Sequence, residues 1–106
     1  MKVKIFAESH YKAGAADYIL FTLGIPSNES WTIKGFEIVY EGDLPSELFI
    51  LINGNETYKT TNFITGGFVP INQEHPPGTR IDIVLHKLQA DLLLYNALLQ
   101  VEVNNV

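Results

Sequence analysis

Trp31-Thr-Ile-Lys-Gly-Phe-Glu-Ile-Val-Tyr40 is the stretch that decides the fold class. Its large apolar side chains fall into two sets of opposite parity, first Trp31 and Ile33, then Phe36, Ile38 and Tyr40. Alternate residues of a regular strand point to opposite faces, so the two sets would lie on different sides of a sheet. One extra residue at Lys34-Gly35 returns both sets to one face, and glycine tolerates such a bulge. We therefore predict a bulged β-strand, with a regular strand buried on both faces as the alternative.

Seven other strand-like runs share the chain with this one, and turn residues separate them. They cover residues 2–9, 17–23, 47–52, 56–65, 68–71, 80–86 and 92–103. Asn53-Gly54 indicates a hairpin, Pro70 indicates an edge strand, and residues 72–79 are predicted to form a long turn. Short strands at regular spacing are typical of sandwiches and barrels. Because a jelly roll has eight strands, we predict an all-β, antiparallel, jelly-roll-like β-sandwich.

The last run, residues 92–103, fits two structures. Leu88, Leu92, Tyr95 and Leu99 would share one face of a helix. The odd positions from 93 to 103 are nevertheless all apolar, which is the period of a strand. We predict a strand whose odd-numbered residues face the core.

The even-numbered residues of that run predict a contact with another subunit. Since the odd positions already supply an inward face, three leucines point the other way beside two amides: Leu92, Leu94, Leu98, Asn96 and Gln100. Contiguous apolar patches on a surface usually mark contact sites. We predict that a neighbouring copy covers the leucines while the amides hydrogen-bond across the interface or at its rim. Coverage by another part of the same chain is the alternative.

Composition supports one domain and argues against several classes of partner. A chain of 106 residues is too short for two independent cores, so residues 1–106 are predicted to form a single domain. Its residues are 46% hydrophobic, and a domain this small must leave part of that content outside, where a second subunit can cover it. The net charge is -5 and the largest basic cluster is Lys2 with Lys4, which excludes a nucleic-acid footprint. With no cysteine, disulfides and thiolate metal sites are excluded as well.

The sequence contains no motif for catalysis or for a cofactor. His10, His75 and His86 have no second metal ligand at close spacing, and neither a nucleophile elbow nor a phosphate loop occurs. Glu41, Asp43 and Glu47 place three carboxylates in one loop, but they lack the spacing of an EF-hand, so we interpret them as a solvated connection. We predict no catalytic residue, no metal and no cofactor, and therefore not an enzyme.

Aromatic residues leave a second class of function open. Trp31 with Tyr40, Tyr58 and Tyr95 could form a platform for a sugar, as in lectin-like sandwiches. The alternation of Trp31 with Ile33 instead favours an indole packed between two sheets. A carbohydrate- or ligand-binding module is therefore the alternative to a structural protein.

The sequence predicts neither a signal peptide nor a membrane-spanning segment. Charged and polar residues interrupt every apolar run of the first 20 residues, so no signal peptide is predicted. No stretch approaches 18 apolar residues. We expect synthesis in the cytoplasm and no membrane partner.

Three passages carry a resemblance to a known class of protein. They are Tyr18–Tyr40 with its strand, polar turn and Trp-led strand, Pro76–Ile83, and Leu94–Leu99. Together they resemble the small jelly-roll accessory proteins of tailed-phage virions. The resemblance implies a homo-oligomer, often a trimer, that decorates a capsid or forms part of a fibre or tail. It also implies other virion proteins as partners and the virion as location, and it transfers no functional residue.

Overall fold

The computed structural model describes residues 2–12, 16–41, 46–60, 68–87 and 93–106, and these residues form eight β-strands. Side chains are described for residues 2–7, 17–39, 47–59, 68–86 and 96–106. The strands are β1 (Lys2–Lys12), β2 (Ala16–Gly24), β3 (Glu29–Glu41), β4 (Ser46–Ile52), β5 (Asn55–Thr60), β6 (Phe68–His75), β7 (Arg80–Lys87) and β8 (Leu93–Asn105). All paired strands are antiparallel, and the described residues contain no helix.

The strands form two four-stranded sheets whose order is that of a jelly roll. The first sheet has the order β1-β8-β3-β6 and the second has the order β2-β7-β4-β5. Each strand of the first half pairs with the strand equally far from the other end: β1 with β8, β2 with β7, β3 with β6 and β4 with β5. The chain is thus a long hairpin wrapped around one core, and the prediction of a jelly-roll-like sandwich is confirmed.

The bulge in β3 lies where the sequence predicts it. The register of β3 against both neighbours shifts between Ile33 and Gly35. Trp31, Ile33, Phe36 and Ile38 are in consequence all buried in the core, with exposed fractions of at most 3%. On β6, Asn72 lies between the residues that pair with Ile33 and Gly35, and its φ of 56° marks a second irregularity at this level.

The C-terminal run is a strand, as predicted. Strand β8 lies between β1 and β3 and pairs with both over most of its length, so a helix there would leave two long edges unpaired. Its odd-numbered residues from 97 to 103, which are Ala97, Leu99, Val101 and Val103, are at most 2% exposed and belong to the core. The odd-numbered face therefore packs inward.

The two-residue turn Asn53-Gly54 joins β4 to β5. Both residues have positive φ, 51° and 85°, as a type I′ hairpin requires. The turn is also tied to the start of β7, since Asn53 N–H donates to the Arg80 carbonyl at 2.9 Å. In return Asn53 Oδ1 accepts from Arg80 N–H at 2.9 Å.

Strand β6 is longer than predicted. It lies at the edge of its sheet, as Pro70 indicates, but it continues to His75 where the sequence predicts a long turn. The continuation follows from strict alternation, because every second residue from Val69 to His75 is half-buried toward the core side and the others are exposed. The prediction was wrong because these inward residues include Gln73 and His75, which are polar, so the sequence does not show the alternation of apolar and polar residues that indicates a strand.

Candidate interaction surface

Strand β1 turns Val3 and Ile5 away from the core. Phe6 packs against the core with its ring 5.7 Å from that of Trp31. Lys4 is on the same side, with Nζ 5.5 Å from the centre of the Trp31 ring and 3.6 Å from Glu29 Oε1. At an edge strand a lysine can cover apolar surface with its stem while its head stays in water. Val3 and Ile5 consequently point outward, and they are 55% and 64% exposed.

The outer face of the first sheet collects these residues with others from β3, β6 and β8. Residues paired across antiparallel strands share a face, and the pairs run Ala7–Leu98–Glu37–Phe68 across all four strands. Seven large hydrophobic residues are exposed in the described part of the chain, and five lie on this face: Val3, Ile5, Val39, Phe68 and Leu98. We call this set the outer apolar face.

A shallow groove lies in the outer apolar face. Ile5, Glu37, Phe68, Leu98 and Gln100 line it, and it encloses about 130 Å³. The Phe68 ring lies over Gly35, where the lack of a side chain makes room for it. A methyl group at Gly35 would come within 2.1 Å of Phe68 Cζ.

The outer face of the second sheet is covered by charged groups. Lys59 Nζ lies 2.9 Å from Glu47 Oε2 and 5.4 Å from the centre of the Phe49 ring. The hydrogen bond to Glu47 raises the pKa of Lys59, and the negative charges of Glu47 and Glu56 act in the same direction. His86 packs edge-on to Phe49 and pairs with Asp17. Phe49 is half-buried under these contacts and Val84 is buried, so Ile19 is the exposed large hydrophobic residue that the described part of this face retains.

Three buried or half-buried polar side chains, those of Gln73, His75 and Asp82, serve the fold rather than a site. Gln73 on β6 bridges to β5, the edge strand of the other sheet, through contacts of 3.3 and 3.5 Å with Thr57. His75 Nε2 lies 3.3 Å from Gln73 Oε1, and burial lowers the pKa of His75. Asp82 on β7 is 4% exposed and pairs with Arg80 at 3.1 Å.

The predicted interface residues of β8 divide into three groups. Leu98 is 38% exposed and Asn96 is exposed, while Gln100 is half-buried at the groove, so all three lie on the outer face as predicted. The backbone of Leu94 pairs within the sheet, but its side chain lies outside the described set. Leu92 lies outside the described residues altogether.

Sequence reasoning missed the remaining members of the outer apolar face. The alternation of Val3 and Ile5 with Lys2 and Lys4 was visible, but it does not tell which side faces the core. The contributions of Phe68 and Glu37 depend on the register between strands about thirty residues apart, which no local pattern encodes. The one signal was Phe6, an apolar residue on the same side of the strand as Lys2 and Lys4, which indicates that this side faces the core.

The residues considered for chemistry are not brought together where they are described. Glu47 is paired with Lys59, whereas Asp43 and the side chain of Glu41 lie outside the described set. His75 and His86 have separate partners, and no group of three metal-ligating residues occurs in the described ranges. Trp31 is 3% exposed, which confirms its packing between the sheets and removes it from any sugar platform. A search of the described residues for a helix that could cross a membrane found none.

Comparison with protein-family models, with curated proteins and with solved structures found no match.

Proposed function

We propose that the chain is a non-enzymatic structural protein, a homo-oligomeric subunit that decorates or forms part of a phage or virus particle. The observation that supports a homo-oligomer is the outer apolar face. Large apolar surfaces on a soluble domain mark contact sites, and here the exposed hydrophobic residues gather on one sheet while charges cover the other. The particle and the trimeric form come from the resemblance of the sequence to phage accessory proteins.

The free energy of burying these side chains is large enough for apolar burial to be a main contribution to a contact. Complete burial of one large apolar side chain contributes about 1.5–3 kcal/mol. The five residues of the outer apolar face are 38–64% exposed, so covering them contributes about 4–8 kcal/mol in total. Association costs roughly 4–15 kcal/mol in lost freedom of motion. A stable oligomer through this face therefore needs polar contacts as well as apolar burial.

Light scattering and sedimentation on matched variants test the oligomer. Leu98→Glu and Ile5→Glu each place a charge in the outer apolar face, while Ile19→Glu places one at a similarly exposed position on the other sheet. We expect an oligomeric native protein, folded monomers for the first two variants, and no change for Ile19→Glu. A native protein that is monomeric at every concentration contradicts the proposal.

The virion assignment and the binding-module alternative need separate experiments. Capsid or tail genes beside this gene would support a virion component. A glycan array and a calcium titration address the alternative class, because a purely structural subunit is expected to respond to neither. A saturable response in either assay would favour the binding module.

A further inference from the structure

The groove of the outer apolar face holds a carboxylate, Glu37, that pairs with no described cation. Glu37 lines the groove beside Ile5, Leu98 and Phe68, and it is half-buried. It forms no ion pair with any residue of the described ranges. Covering a carboxylate with apolar groups alone is costly, because the charge loses its water without gaining a partner. Whatever covers this face must therefore bring a positive charge or hydrogen-bond donors to Glu37.

The shape of the groove fits one long side chain. Its volume of about 130 Å³ is close to the roughly 150 Å³ of an engineered cavity that accepts a benzene molecule. A lysine can lay its methylene stem along apolar walls and keep its ammonium group at a polar end. The Phe68 ring offers a further electrostatic attraction to a cation, and the side-chain carbonyl of Gln100 offers an acceptor.

Lys34 is the cation in the described part of the chain that is placed for this role. It lies three residues before Glu37 on β3, is half-buried, and forms no ion pair with a described residue. Because β3 lies between β8 and β6, a side chain on it that leaves the core reaches solvent across the outer face. The other described cations near apolar surface, Lys4 and Lys59, are already paired.

We propose that the Glu37 groove receives Lys34 of a second copy of this chain. The inference rests on the proposed homo-oligomer and names the charge pair that completes its interface. Lys34 is the extra residue of the bulge, between the buried Ile33 and Gly35, and Gly35 pairs with Gln100 of the groove, so Lys34 shares the outer face with Glu37. The two side chains do not pair within the chain, so one copy presents both halves of a complementary contact. In a two-fold assembly the pair forms twice, and in a closed ring it forms once at each junction.

Three neutral substitutions, two charge reversals and the exchange of both charges test the pair in the full-length protein. Glu37→Gln keeps the shape and removes the charge, and Lys34→Met keeps most of the stem. Lys2→Met is the matched control, because Lys2 is exposed on the edge strand β1 and also has no ion pair among the described residues. Sedimentation velocity over a concentration series, at low and high salt, gives the self-association constant of each.

We expect Glu37→Gln and Lys34→Met each to weaken self-association about tenfold or more, and Lys2→Met to leave it unchanged. Glu37→Lys combined with Lys34→Glu should restore association that either charge reversal alone removes. Self-association of Glu37→Gln as tight as that of the native protein, or tighter, would overturn the pair while leaving the oligomer intact. A native monomer overturns both proposals. Circular dichroism confirms folding, and if the exchange variant fails to fold, the two neutral substitutions still decide.

Discussion

The ring of Phe68 lies over Gly35, so one wall of the groove in the outer apolar face rests on the bulge of β3. A Cβ atom at Gly35 would lie 2.1 Å from Phe68 Cζ and 2.6 Å from the carbonyl oxygen of Val69. The φ of Gly35 is not among the positive values of the chain, so the position needs glycine for space rather than for a left-handed backbone. The phenyl ring could move away, but the Val69 carbonyl belongs to a paired strand.

Gly35→Ala is expected to lower the free energy of unfolding by about 1–3 kcal/mol, because the added methyl group overpacks the contact with β6. Gly24→Ala is the matched control, since a Cβ atom there meets nothing within 4 Å. Urea unfolding followed by circular dichroism measures both. Equal stability of the two variants would contradict the contact between β3 and β6.

Trp31→Ala is expected to cost about 3–5 kcal/mol, because it leaves a cavity between the sheets beside Phe6. Trp31→Phe should cost much less, since Trp31 Nε1 is buried without a hydrogen-bond partner among the described residues and its removal relieves that penalty. The native emission should be blue-shifted and poorly quenched by iodide. A red-shifted, readily quenched emission would place the indole in water and revive the sugar platform.

More of the fold than of the outer apolar face could be predicted from the sequence. The parity change across Lys34-Gly35 and the Asn53-Gly54 turn are local signals, and each encodes its structure within a few residues. The outward direction of Val3 depends instead on a lysine packing over Trp31, and the groove depends on Phe68 meeting Leu98 and Glu37 across the sheet. Such relationships come from strand register, which the sequence of one strand does not contain.

Asn53→Ala is expected to destabilise the protein by about 1–3 kcal/mol. The change places alanine at a φ of 51° and removes the Oδ1 acceptor of the Arg80 N–H group. Asn55→Ala, two residues further on at the start of β5, is the control because Asn55 has ordinary strand geometry and is exposed. Thermal unfolding of both variants compares them, and an equal shift in Tm would show that the turn conformation carries no special cost.

His75 is expected to make the protein less stable in mild acid. Burial lowers the pKa of its imidazole below the ordinary value of about 6.5, so the unfolded chain binds the proton more readily than the folded chain. The stabilising contribution of the neutral ring is therefore complete above about pH 6.5 and is lost as the pH falls toward the lower folded-state pKa. Protonation of the His75 ring would also alter its 3.3 Å contact with Gln73, which links β6 to β5 through Thr57.

His75→Gln removes this titration while keeping a polar side chain at the edge of the sandwich. Urea unfolding of the native and variant proteins at several pH values between about 5 and 8 gives two stability curves. Other titrating groups affect both proteins alike, so the difference between the curves isolates His75. We expect that difference to shrink as the pH falls, because the native protein loses the contribution that the variant never had. Parallel curves would show that His75 titrates alike in the folded and unfolded chains.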